Sequence, residues 1–290
     1  MNNPLISICL PTRGRFDLLK GSIESLLNNA NDPNNFELLL GIDEDDLETL
    51  QKAKQFSEQN KNLNIRYSIS ERYGYKELHK YLNDLCKISK GELIFLWNDD
   101  ARIDTKNWDL KIKKYSEENE KMLFLFLNNV RPQNMNWNFP LVNRRVCETL
   151  GFFSCTPHND TFYEFLKNSF NENEHWFQDL DIELFHLQSE RMYDAKSDTD
   201  YDLIYKEIDE AKKTTSPEFY EKAPIVIHYC QLRIKSELFH DEESRQILNG
   251  WITGNNDQNA ILSDRIDEEW RKAEPENFYE KNIKDLDIKL

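Results

Sequence analysis

The stretch Gly91-Glu92-Leu93-Ile94-Phe95-Leu96-Trp97-Asn98-Asp99-Asp100 sets how the rest of the chain is read. Its apolar run starts behind a glycine and an acid and stops at two adjacent carboxylates. A run that short, flanked in this way, predicts a strand buried on both faces. Open α/β sheets bind ligands outside the carboxyl ends of their strands. Paired acid oxygens there suit a hard divalent cation that takes its remaining ligands from substrate phosphates.

Toward the N-terminus the same pattern recurs. Residues 5–10 form an apolar run stopped by Pro11, and the turn Thr12-Arg13-Gly14-Arg15 follows. Residues 16–29 place Phe16, Leu19, Ile23, Leu26 and Leu27 at helical spacing. A turn over residues 31–35 leads to a second strand, residues 36–42, which ends in Asp43-Glu44-Asp45-Asp46. A polar helix to about residue 60 and a strand over residues 65–69 come next, closed by Arg72-Tyr73-Gly74-Tyr75. Residues 77–88 read as a helix with Leu78, Tyr81, Leu82 and Leu85 on one face. Strands alternating with helices in this way predict an α/β fold with a mostly parallel central sheet covered by helices on both faces. In such a sheet the strand ends share one edge. Thr12, Arg13, Arg15, Asp43, Arg72, Asp99 and Asp100 are therefore expected to meet in one crevice.

Toward the C-terminus the pattern is less regular. Residues 107–118 read as an amphipathic helix, 122–127 as a buried strand, 139–142 as a short strand, and 144–150 as a helix ended by Gly151. A helix over residues 161–170 and a strand over residues 180–185, running into His186, complete this part. Residues 194–205 are strongly acidic, and from Ser216 onward the chain reads as helical. The expected organisation is one domain over residues 1–215 and a helical extension, residues 216–290, packed on it.

Composition narrows the function. A formal charge of -16 argues against a nucleic-acid groove, which needs a dominant basic surface. It leaves room for a phosphate-bearing small ligand held by a few arginines and an ion. The five cysteines are odd in number and show no CxxC spacing, which argues against structural zinc or a disulfide framework and suits a reducing interior. No apolar run approaches a membrane span, and the N-terminus lacks a basic stretch followed by an apolar one. The expectation is a cytoplasmic protein with no membrane span.

These strand ends resemble those of family 2-like glycosyltransferases of the GT-A type, whose substrates are nucleotide-diphosphate sugars. The resemblance rests on Pro11-Thr12-Arg13-Gly14-Arg15 after the first strand, Asp43 after the second, and Gly91-Glu92-Leu93-Ile94-Phe95-Leu96 leading to Asn98-Asp99-Asp100. It implies that Asp43 meets the nucleoside, that Arg13 meets the diphosphate, and that Asp100 holds Mn²⁺ or Mg²⁺. The chain departs from the usual acid-x-acid motif, having Asn98 at its first position. Leu150-Gly151-Phe152-Phe153 and His158-Asn159-Asp160-Thr161-Phe162 resemble a downstream block that supplies the acceptor-side acid, here Asp160. His186, followed by Asp198-Thr199-Asp200-Tyr201, resembles the stretch that carries a late metal-binding histidine. The implied partners are a nucleotide sugar and a glycan or other hydroxyl acceptor, and the implied reaction inverts the anomeric centre.

Each residue also has a plainer reading. Asp99 and Asp100 could open a helix, Asp43 could belong to a solvated acidic turn, and Asp160 could cap a helix. His186 could be a satisfied structural histidine, and Arg13, Arg15 and Arg72 could be surface charges. Two other functions fit the same sheet. A nucleotidyltransferase would normally show a Gly-rich turn with a lysine after the first strand, which Thr12-Arg13-Gly14-Arg15 lacks. A non-catalytic glycan- or partner-binding module is the other.

Overall fold

The computed structural model describes residues 4–118, 122–131, 139–170, 176–187 and 202–253. The N-terminal half follows the predicted alternation: β1 (Ile6–Thr12), α1 (Phe16–Asn29), β2 (Phe36–Asp43), α2 (Leu47–Gln59), β3 (Ile65–Ser70), α3 (Leu78–Ile88) and β4 (Leu93–Leu96). It continues through β5 (Ala101–Ile103), α4 (Trp108–Glu118), β6 (Phe124–Arg131), β7 (Phe139–Asn143), α5 (Arg144–Leu150), α6 (Asn159–Ser169) and β8 (Phe177–His186). Two helices close the described chain, α7 (Asp202–Leu238) and α8 (Glu242–Thr253).

All eight strands join one sheet in the order β3-β2-β1-β4-β7-β6-β8-β5. β1 pairs in parallel with both β2 and β4, and β2 with β3, so their C-terminal ends line one edge. β7 runs antiparallel between β4 and β6, while β8 is parallel to β6. Side chains leave a strand alternately to its two faces, and β1 shows this directly. Ile6, Ile8 and Leu10 pack with Leu19, Ile23 and Leu26 of α1 and with Trp108 of α4. Cys9 joins the opposite layer, with Leu82 and Leu85 of α3 and residues of α5, α6, α7 and α8.

One glycine in this sheet is demanded by close approach. A Cβ on Gly91 would lie 2.5 Å from the Ser7 backbone nitrogen and 2.7 Å from the Ile6 carbonyl carbon. The entry to β4 can therefore lie against β1 only with no side chain there.

Two of the plainer readings fail, and one helix starts earlier than its sequence suggests. Asp99 and Asp100 do not open a helix; they sit in a tight turn, closed by the Ala101 N–H on the Asn98 carbonyl, which leads into β5. α6 starts at Asn159 with His158 as its N-cap, so Asp160 lies in the first turn and is not the cap. α7 begins at Asp202 and runs unbroken through the 215/216 position, carrying Ala223, Val226 and Ile227 into the same apolar layer as α5 and α6. The motif Asp198-Thr199-Asp200-Tyr201 lies outside the described residues.

Candidate active site

β1 and β4 lie side by side, and this register brings the turn after β1 against the turn after β4. Thr12 Oγ1 donates to Asp99 Oδ2 at 2.6 Å, and Arg15 Nε donates to the same oxygen at 3.2 Å. Arg15 Nη2 lies 2.6 Å from Asp99 Oδ1, and its Nη1 lies 4.0 Å from Asp100 Oδ2. Arg15 occupies the N-cap of α1 and makes no capping bond there, although short polar residues are preferred at that position. Its side chain serves the two acids instead. Burial pushes the Asp99 carboxyl up to about 6, against the lowering influence of Arg15 and with Asp100 adding to the rise.

Asp100 faces a partner that periodicity does not reveal. β5 runs antiparallel to β8 with Ala101 opposite His186, and the Leu187 N–H bonds the Asp100 carbonyl at 3.1 Å. His186 Nε2 then lies 3.1 Å from Asp100 Oδ1 and 3.0 Å from Asn98 Nδ2. The imidazole is fully buried, with Phe139 packed edge-on at 5.5 Å between ring centroids. A single ring nitrogen cannot both accept from the Asn98 amide and donate to Asp100. A cation removes that conflict, because carboxylate, imidazole and the amide oxygen of a rotated Asn98 are all lone-pair donors. Among the described residues no group of three or more His, Cys, Asp or Glu side chains could hold a metal ion. The chain thus offers two such ligands and one amide, which fits an ion that completes its shell with substrate oxygens.

Below this turn, Trp97 Nε1 donates to Ser22 Oγ at 2.8 Å, and Ser22 Oγ donates to the Asn98 carbonyl at 3.2 Å. Trp97 has no exposed surface, so it supports the turn from beneath.

Asp99, Asp100 and Arg15 line a cleft of about 120 Å³ together with Asp160, Tyr75 and Asn98. Asp160 arrives there from the start of α6, where its Oδ1 accepts the Thr161 N–H at 2.8 Å. Ile208 of α7 closes part of the wall. Burial, with Asp160 and Asp209 nearby, raises the Tyr75 phenol well above its usual range. His158, beside Asp160, is linked to α7 through Thr215 Oγ1 at 3.0 Å.

Asp43, Arg13 and Arg72 form a separate group at the ends of β1, β2 and β3, outside the lining of that cleft. Asp43 is 2% exposed, and its Oδ2 accepts from Arg13 Nη1 at 2.8 Å. Arg13 also binds the exposed Asp45 through both terminal nitrogens, which holds the Asp45 carboxyl below its usual range. Arg72 is exposed and adds to that lowering. The other Asp43 oxygen accepts from the hydroxyl of Tyr81, a short contact. Sequence reading placed Tyr81 only on the apolar face of its helix. Nothing in that periodicity distinguishes a hydroxyl that reaches a strand end from one that points to solvent.

The family model described as "Glycosyl transferase family 2" matches residues 7–166, from β1 into α6. The chain belongs to glycosyl transferase family 2. It is a glycosyltransferase of GT-A fold, and the match spans Thr12, Arg15, Asp43, Asp99, Asp100 and Asp160 but ends before His186. The mannosyltransferase PcManGT from Pyrobaculum calidifontis, in complex with GDP-Man and Mn²⁺, is similar with a TM-score of 0.50 and 12% identity, covering 96% of this chain and 85% of that one. S. aureus TarS 1-349 is similar with a TM-score of 0.49 and 14% identity, covering 79% and 80% of the two chains. No curated protein matches the chain. No helix among the described residues of this family 2 enzyme is long and apolar enough to cross a membrane.

Proposed function

We propose that this enzyme transfers a sugar from a nucleoside-diphosphate donor to an acceptor hydroxyl, with inversion, using a divalent cation held by Asp100 and His186. The observation that carries the proposal is the convergence of Asp100, backed by His186, and Asp160 on one cleft. Arg15, at the same cleft, offers a guanidinium fork to the diphosphate, a geometry that matches phosphate oxygens. Asp99, itself bonded by the Thr12 hydroxyl, holds that guanidinium in place. Asp43 meets the nucleoside, Arg13 orients Asp43, and Arg72 adds positive charge beside it.

Asp160 accepts the proton of the acceptor hydroxyl as it attacks, which requires the carboxylate form and a position on the side of the sugar away from the leaving group. Asp100 and His186 would hold Mn²⁺ or Mg²⁺, which would supply positive charge against that developing on the departing diphosphate. GDP-Man and Mn²⁺ in the PcManGT complex support this pairing of nucleotide sugar and ion.

Thermal shift with UDP-, GDP- and CMP-sugars, each with and without MnCl₂, tests the donor and the ion together. One sugar nucleotide should raise the melting temperature, and more so with Mn²⁺. Asp100→Ala should remove the Mn²⁺-dependent part of that shift and lower turnover about 100-fold or more, the scale on which lost transition-state charge stabilisation acts. Unchanged turnover in Asp100→Ala would exclude it as the metal ligand.

A further inference from the structure

The phenol oxygen of Tyr81 is saturated. It donates to Asp43 Oδ1, and it accepts the backbone N–H groups of Tyr73 at 2.9 Å and Gly74 at 3.2 Å. One proton and two lone pairs are all that a phenol oxygen has. Its partners belong to two different strand ends: Asp43 finishes β2, while Tyr73 and Gly74 form the turn that follows β3. Gly74 holds φ at 69°, the left-handed region that favours glycine, at the point where this turn leads through Tyr75 into α3 and so toward Tyr81.

The ring of Tyr81 is 8% exposed and packs edge-on against Tyr73 at 4.8 Å between centroids. Tyr73 in turn donates its hydroxyl to Asp84 Oδ2 of α3 at 3.1 Å. Burial and the neighbouring Asp43 raise the Tyr81 phenol far above neutral pH, so it stays the donor of its bond to Asp43. With Arg13 on the other Asp43 oxygen, the carboxylate is held from both sides. Phenylalanine would fill the same apolar space, and only the hydroxyl makes these three bonds.

We propose that Tyr81 is a positioning residue of donor binding, its hydroxyl clamping the Asp43 carboxylate to the Tyr73-Gly74 turn so that the nucleoside meets a preformed wall. The proposal rests on the reading of Asp43 as the nucleoside contact. Preorganisation of this kind acts on affinity, because the free protein already holds the bound arrangement.

Isothermal titration of the full chain with UDP, GDP and CDP, each in MnCl₂, supplies the test. Tyr81→Phe should weaken binding of the preferred diphosphate about tenfold, the scale of one hydrogen bond to a charged group. Asp43→Ala should weaken it at least as much. The double variant should match Asp43→Ala alone, because the hydroxyl acts through that carboxylate. A merely structural tyrosine would lower the melting temperature without this coupling.

Gly74→Ala gives an independent arm and decides the matter if Tyr81→Phe does not fold. A Cβ there meets nothing within 4 Å, but alanine is strained at that φ. It should loosen the turn from Tyr81 and weaken the same diphosphate several-fold. Wild-type affinity in Tyr81→Phe, or in Gly74→Ala where only that variant folds, beside a loss in Asp43→Ala overturns the role of Tyr81 alone. Wild-type affinity in Asp43→Ala, or no binding of any diphosphate by the native protein, overturns the nucleoside reading and this proposal with it.

Discussion

Glu37 and Asp43 stand at the two ends of the same strand, and both are buried, but their surroundings assign them different work. Glu37 has no exposed surface. Its Oε1 accepts from Ser7 Oγ and from the Lys90 N–H, each at 2.6 Å, and its Oε2 accepts from Arg66 Nε at 3.1 Å and Nη2 at 2.5 Å. Those donors come from β1, β3 and the approach to β4, so one carboxylate ties four neighbouring strands at the edge opposite the site. Glu37→Ala should lower stability by about 3 kcal/mol, because it leaves a partly buried guanidinium and buried donors without their acceptor. Glu37→Gln should cost less, since it keeps the shape and an acceptor oxygen. Urea unfolding of the three proteins checks the order, and an unfolding midpoint unmoved by Glu37→Ala would show that Ser7 and Arg66 find other partners. The bonds of Asp43, by contrast, run to Arg13 and to Tyr81, both at the end of the sheet where the nucleoside is proposed to bind.

At the scale of elements, α7 departs furthest from what its composition suggests. Pro217 lies in its interior on an exposed face and has no N–H to give the Lys213 carbonyl. Apolar residues downstream in α7, among them Ala223, Val226, Ile227, Cys230 and Ile234, hold the helix in the core and outweigh that loss. Pro217→Ala should therefore raise the melting temperature, with a gain approaching the 3 kcal/mol scale of a helix-interior proline at most. A lower melting temperature would mean that the proline sets a bend the packing needs. The same contrast explains what sequence could and could not disclose. β1, β2 and β4 were legible because parallel strands buried on both faces are continuous apolar runs cut off by polar residues. The start of α7 was not, because the strongly acidic stretch that runs into it shows no apolar period to mark a helix. β5 is three residues long, too short for any period, yet its pairing with β8 is what seats His186 beside Asp100. In the site, the acids at the strand ends could be named from the chain. The partition of the arginines could not, since Arg15 turning to Asp99 and Arg13 to Asp43 and Asp45 depends on distances across the sheet edge.

For the whole molecule, a formal charge of -16 is the dominant long-range fact. Like charges crowded on a folded surface repel one another and destabilise the compact state. Salt screens that repulsion, since the Debye length falls from about 30 Å at 0.01 M to about 10 Å at 0.1 M. Exposed pairs such as Lys52 with Glu48 and Lys87 with Asp84 are weakened by the same screening, but each contributes about 1 kcal/mol or less. The buried pairs, Arg66 with Glu37 and Arg15 with Asp99, are screened much less. The balance therefore favours stabilisation, and raising NaCl from low to near-physiological concentration should raise the melting temperature by several degrees, at roughly 2–4 °C per kcal/mol. The measurement belongs in buffer free of nucleotide and divalent cation, because a ligand that binds only the folded state would add its own stabilisation. A fall in melting temperature with salt would mean that local ion pairs outweigh the net repulsion. A rise also bears on the proposed reaction: the same negative field would oppose the approach of an anionic nucleotide sugar, and in the proposed roles Arg15, Arg13 and a cation beside Asp100 would counter it.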